Sequence, residues 1–151
     1  MAIAFFYGSI AAVWSVFFIC AVKRPPTLKH IMIAITAMGY SLLFETTLGE
    51  YLGLYHYINP ENSLFYIIVS AVFLYPIIEV LYTMFLPVKA YPAIIYTAAW
   101  LVLMLFFELI SIYTKTVVLT GWRVMPWSII TYLITFTWIN LLFRYLKKRD
   151  L

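Results

Sequence analysis

Charged residues are scarce in this chain of 151 residues: only 11% are Asp, Glu, Lys or Arg, whereas 66% are hydrophobic. An average soluble protein carries about a quarter charged residues, so this chain lacks the polar side chains that cover a water-soluble globule. It has one cysteine, Cys20, which excludes an intramolecular disulfide and a metal site built from several cysteines. The composition therefore predicts an integral membrane protein, with the lipid bilayer as its first partner.

Common catalytic motifs are also missing. The sequence contains no HExxH, no GxSxG and no Gly-rich phosphate loop. Its two histidines are far apart in the chain, so the sequence does not favour a catalytic nucleophile that a histidine activates. We therefore expect no enzyme activity, no cofactor and no metal ion, and we rank an intramembrane lipid-modifying enzyme as the least favoured function.

Long apolar runs dominate what is present. Each is close to the 20 residues that a helix needs to cross the hydrocarbon core of a bilayer. The predicted spans are 2–22, 31–49, 63–86, 92–113 and 127–145. We predict an all-α fold, a single transmembrane domain over residues 1–151 in which five helices form a bundle.

The third span is predicted to be the central helix, because its apolar sequence is almost unbroken. Pro76 lies inside it and predicts a kink, which frees a carbonyl near residue 72 for a neighbour or water. The connector before this span is predicted to be an interfacial loop or short surface helix, and the connector 114–126 a second loop. Their aromatic rings are expected at headgroup level.

The basic residues predict the orientation. Eight of the ten Lys and Arg residues fall on one side of the predicted spans, and two fall on the other. The first group is Lys23, Arg24, Lys29, Lys89, Arg144, Lys147, Lys148 and Arg149; the second is Lys115 and Arg123. Because cytoplasmic loops carry the excess of Lys and Arg, the N-terminus is predicted outside and the C-terminus inside. This placement also explains the net charge of +4 without a nucleic-acid partner.

Three acids lie within predicted spans: Glu45, Glu79 and Glu108. A charge at the centre of a bilayer costs about 2.5–3.5 kcal/mol on insertion scales, so such acids are functional candidates. With a rise of 1.5 Å per residue, Glu45 and Glu108 lie on the order of 7 Å from mid-span toward the outside, and Glu79 a similar distance toward the cytoplasm. This spacing suits stations on a proton or cation path. The alternative is structural: each acid reaches the interface or forms an interhelical hydrogen bond.

Polar residues near the same depths are the candidate partners of these acids. For Glu79 they are Asn140 and Arg144 on the fifth span. For Glu108 they are Lys115, His56 and Arg123 near the outer surface.

Small residues recur every fourth position in the first span, at Ala4, Gly8 and Ala12. Such a stripe allows two helices to approach closely. We expect a homo-oligomer or a membrane-protein partner, because five helices enclose little volume by themselves. The main alternative function is thus a non-conducting subunit that binds a protein or lipid.

The second half of the chain resembles a family of small, uncharacterised multi-span membrane proteins of spore-forming Gram-positive bacteria. The resemblance rests on short motifs: Tyr75-Pro76-Ile77, Glu108, Lys115, Gly121-Trp122-Arg123 and Ser128. It implies a location in a bacterial plasma membrane and this multi-pass architecture, and it implies no substrate. It also marks Glu108, Trp122 and Ser128 as positions to test beside Glu79.

Overall fold

Helices form most of the structure. A computed structural model describes residues 1–149, and the helices are α1 (Ala2–Lys23), α2 (Leu28–Glu45), α3 (Ser63–Phe73), α4 (Tyr75–Met84), α5 (Ala90–Tyr113) and α6 (Ile129–Lys148). Irregular helical turns extend three of them: Thr46–Tyr51 after α2, Pro60–Asn62 before α3 and Val124–Ser128 before α6. Together they make five segments that are long and apolar enough to cross a bilayer. The predicted number of apolar segments and their helical structure are confirmed.

The third segment is broken into α3 and α4 at Leu74. Pro76, in the first turn of α4, has no N–H to donate, and in a continuous helix its ring would clash with the carbonyl four residues earlier, that of Val72. The predicted kink is therefore present. The carbonyl of Phe73 accepts a hydrogen bond of 2.9 Å from the Trp14 indole N–H, so α1 supplies the donor that the kinked helix lacks. The accepting carbonyl lies one residue after the predicted position.

The third segment is also the centre of the bundle. Over its most apolar stretch 56% of the residues are buried, against 11–17% in the other four segments. Every residue of α4 from Pro76 to Met84 is buried. Its side chains share an apolar core with Ile33 of α2, Met104 of α5 and Phe136 of α6. The core thus forms around α4, as the apolar composition of the segment predicts.

The two long connectors form a small antiparallel sheet, which was not predicted. Strand β1 (Tyr55–Tyr57) pairs with β2 (Val117–Leu119), and Tyr57 lies opposite Val117. Beyond the strands, the N–H of Gly121 donates a 2.9 Å hydrogen bond to the carbonyl of Leu54. The all-α prediction is therefore corrected: each connector supplies one strand, because pairing satisfies the backbone of both.

Large apolar side chains face outward along the other helices. Examples are Val16 on α1, Ile35 on α2, Val102 on α5 and Leu141 on α6, which are 49%, 64%, 64% and 60% exposed. An apolar surface of this kind on most of the helices is typical of a protein whose surroundings are lipid.

Candidate functional site

The three acids predicted from the sequence line a single cavity. Glu45 comes from the end of α2, Glu79 from α4 and Glu108 from α5. The cavity has a volume of about 110 Å³ and lies between these helices, α6 and the inner face of the sheet. Aromatic side chains make up much of its wall, among them Tyr40, Phe44, Tyr55, Tyr57, Tyr75 and Tyr132. The depth argument placed the acids at two levels, and the structure brings both levels to the same cavity.

Glu45 is held by a chain of two tyrosines. The Tyr57 hydroxyl donates a 3.0 Å hydrogen bond to Oε2 of Glu45, and it lies 2.9 Å from the Tyr75 hydroxyl. A phenol has one hydrogen to donate. Since that of Tyr57 goes to Glu45, the Tyr75 hydroxyl donates to Tyr57. The sheet and α4 thereby fix the orientation of a carboxyl group that belongs to α2.

Glu108 is held by a second chain, which starts at an indole. Trp122 donates through Nε1 to Oγ of Ser128 at 2.9 Å, and Ser128 donates to Oε1 of Glu108 at 2.7 Å. An indole N–H is only a donor, so it fixes Ser128 Oγ as an acceptor and directs the serine hydrogen toward Glu108. The three positions marked by the family resemblance therefore form one hydrogen-bonded unit.

This arrangement differs from the predicted partners of Glu108. The predicted ones were Lys115, His56 and Arg123, and none of them lines the cavity. Lys115 has a φ of 58° and lies in the turn before β2. On β1, His56 alternates with Tyr55 and Tyr57 and so faces away from the cavity. Its Nδ1 is buried without a hydrogen-bond partner among residues 1–149.

Glu79 is the most isolated of the three acids. Its side chain is 7% exposed, and its Oε2 is buried with no hydrogen-bond partner in the described part of the chain. The predicted partners bond elsewhere: Asn140 lies 3.4 Å from the Tyr82 hydroxyl, and Arg144 Nε donates to Asn140 Oδ1 at 2.6 Å. The predicted pairing of Glu79 with either residue is therefore wrong.

Arg144 is occupied at the opposite end of the bundle from the sheet. Its other nitrogens donate to the carbonyls of Val88 and Pro87 at 2.8 and 3.1 Å. Because these carbonyls belong to the turn between α4 and α5, the guanidinium group ties α6 to that turn. Arg144 therefore has a structural role, in which it links α6 to α4 and α5 through their connecting turn.

The tyrosines of β1 are the residues that sequence reasoning missed. They were predicted at headgroup level, yet Tyr55 and Tyr57 are 8% and 4% exposed and line the cavity. Burial, followed by the nearby Glu45, raises the pKa of both hydroxyls above the usual range for tyrosine. Both therefore stay neutral and able to donate. The available signal was the alternation in Tyr-His-Tyr and the β-branched pair Val117-Val118, which favour strands.

The small residues of α1 take no part in the bundle. Ala4, Gly8 and Ala12 are exposed, and a Cβ atom added at Gly8 would meet no atom within 4 Å. The stripe that was predicted to allow close helix approach is therefore open to another chain.

The fold and the site together define a bundle of five helical segments, each long and apolar enough to cross a membrane, with an acid-lined cavity beside a two-stranded sheet. No protein-family model matches the chain, and no curated protein or solved structure is significantly similar to it. The family resemblance stays a prediction, and the function is inferred from the geometry of the cavity.

Proposed function

We propose that this protein is a multi-pass protein of a bacterial plasma membrane, with its N-terminus outside and its C-terminus inside. We further propose that it works as a proton- or cation-linked channel or transporter module. In this proposal Glu45, Glu79 and Glu108 are the groups that receive the ion. The outward apolar faces and the asymmetric distribution of Lys and Arg support the membrane location and the orientation.

One observation carries the proposal: three helices each contribute a carboxyl group to the same cavity. Acids within membrane segments are costly and commonly mark ion or proton pathways. A purely structural acid is expected to have its hydrogen bonds satisfied. Here Oε2 of Glu79 and Oε2 of Glu108 are both buried and unpaired among residues 1–149, so each has an unused site for a proton or a cation.

The cavity is closed on the side away from the sheet. Tyr82, Phe136 and Ile139 are at most 2% exposed and pack together beyond Glu79. In this conformation the cluster separates the carboxyl groups from the end of the bundle that is proposed to face the cytoplasm. Passage of an ion to that side therefore requires these side chains to move apart.

Proton and cation flux into proteoliposomes tests this function. We expect flux with the wild-type protein and with Glu50→Gln, a matched control because Glu50 is exposed and lies outside the cavity. Glu79→Gln and Glu108→Gln keep the side-chain shape and remove the acid, so flux should fall to the level of empty liposomes. Wild-type protein that is folded yet gives no more flux than empty liposomes would contradict the proposal.

The second candidate function is a non-conducting subunit that binds a partner through α1. The open stripe of Ala4, Gly8 and Ala12 favours it, because small exposed residues let two membrane helices pack closely. Under this function Gly8→Leu should remove a co-purifying protein or a second copy of the chain. Glu79→Gln should leave that association intact. Cross-linking in membranes distinguishes the two candidates.

A further inference from the structure

We propose that the ligand of the acid-lined cavity is a small organic ammonium ion. Its N–H groups donate to the unpaired Oε2 of Glu79, and its carbon atoms contact the surrounding aromatic rings. This inference rests on the proposed uptake of a cation into the cavity and names the chemical class of that cation.

The unpaired atoms in the cavity are acceptors. Oε2 of Glu79 and Oε2 of Glu108 lack partners among residues 1–149. Two donors of the lining are engaged with other carboxyl oxygens: the Tyr57 hydroxyl donates to Glu45, and Ser128 donates to Oε1 of Glu108. A ligand that completes the site must therefore bring hydrogen-bond donors. An ammonium group has three donors and no acceptor, which matches this need.

Residues 1–149 supply no positive charge to the cavity. No Lys, Arg or His side chain among them belongs to its lining, and the guanidinium group of Arg144 on α6 bonds to Asn140 and to the carbonyls of Pro87 and Val88. An anionic ligand would meet three acids without a compensating charge. A cationic ligand supplies the missing charge and forms charge-assisted hydrogen bonds, which are the stronger kind.

The wall and the size of the cavity favour an organic cation over a bare metal ion. The faces of tyrosine, tryptophan and phenylalanine rings attract cations, by about 2 kcal/mol or more where water is excluded. Tyr40, Tyr75, Trp122 and Tyr132 approach the cavity from four different elements. Over residues 1–149, no three acidic, His or Cys side chains converge closely enough to hold one metal ion. A volume of about 110 Å³ also exceeds several-fold the ~15 Å³ that one water needs.

Binding of radiolabelled ethylammonium to the purified protein in lipid nanodiscs tests the inference. We expect saturable binding that unlabelled ethylammonium displaces, and that neither sodium chloride nor the neutral analogue n-propanol displaces. Glu79→Gln should weaken binding about tenfold or more, because one charge-assisted bond is lost. The Glu50→Gln control should bind like the wild type. Circular dichroism and gel filtration establish that each variant is folded.

Two results would overturn the inference: displacement by sodium chloride as effective as by ethylammonium, or undiminished binding by folded Glu79→Gln protein. A flux measurement on the same preparations separates this inference from the proposed function. Proton or sodium flux that depends on Glu79, without ethylammonium binding, contradicts the ligand class and leaves the function standing. Ethylammonium binding without any flux, of ethylammonium included, contradicts the transport function and leaves the ligand class standing.

Discussion

The Trp122–Ser128–Glu108 chain leads to a prediction about stability. Ser128 is 2% exposed, and its hydroxyl both accepts from the indole and donates to the carboxyl group. Ser128→Ala removes one oxygen atom and breaks both hydrogen bonds. The indole N–H and Oε1 of Glu108 then lose the hydroxyl group that joins them.

The expected loss follows from these two bonds. Side-chain hydrogen bonds between membrane helices average about 0.6 kcal/mol and reach about 1.7 kcal/mol. A buried group left unsatisfied costs about 1–3 kcal/mol in water-soluble proteins. Two such bonds place the loss of unfolding free energy at about 1–3 kcal/mol. Ser15→Ala is the matched control, because Ser15 is exposed and bonds only to the Ala11 carbonyl of its own helix.

Reversible unfolding in mixed micelles, followed by circular dichroism, measures these differences. We expect Ser15→Ala to change the unfolding free energy by less than about 0.5 kcal/mol. A double-mutant cycle of Ser128→Ala with Trp122→Phe should give a coupling of at least about 0.5 kcal/mol, because both changes break the same bond. If Ser128→Ala is no more destabilising than Ser15→Ala and the coupling is zero, the hydrogen-bonded chain does not support the site.

Two further substitutions test the other contacts that organise the cavity and the kink. Tyr57→Phe leaves Glu45 and Tyr75 without their shared partner, so it should cost about 1–2 kcal/mol of unfolding free energy. In a Glu45→Met background, which has no carboxyl acceptor, the part of this cost that comes from the Glu45 bond should disappear; full additivity of the two changes would refute the bond. Trp14→Phe deprives the Phe73 carbonyl of its donor and should cost about 1–3 kcal/mol, whereas Trp138→Phe, at a half-exposed position, should be nearly neutral. Equal unfolding free energies of the two tryptophan variants would show that α1 does not stabilise the kink.

The kink shows how far local sequence reaches. Pro76 predicts the break in the third segment, because the loss of its N–H is a property of the residue itself. The identity of the compensating donor is not local, since Trp14 lies 59 residues before Phe73, whose carbonyl accepts the bond. Hydropathy identifies α1 as an apolar helix of the bundle. It does not predict which face of α1 packs against α4.

The connectors show the opposite case. Three residues of each connector form a strand only because the other connector lies beside it, 64 residues away in the Tyr55–Leu119 pair. A strand of this length has no stability of its own. Read singly, each connector therefore predicts a loop. A loop was expected to place Tyr55 and Tyr57 at headgroup level. As part of strand β1 they line the cavity instead, which explains why these residues were missed.

The amino-acid sequence by itself determined the five apolar helical segments, the central place of the third, the kink and the position of each acid along its segment. These properties depend on composition and on the fixed rise of a helix, in which every backbone group bonds within its own segment. Only the tertiary structure decided that Glu45, Glu79 and Glu108 face one cavity, that Tyr57 and Ser128 orient two of them, and that Asn140 and Arg144 do not pair with the third. The position of a residue along a helix is a property of that helix alone. The direction in which its side chain points depends on how the helix is rotated and packed against the neighbouring helices.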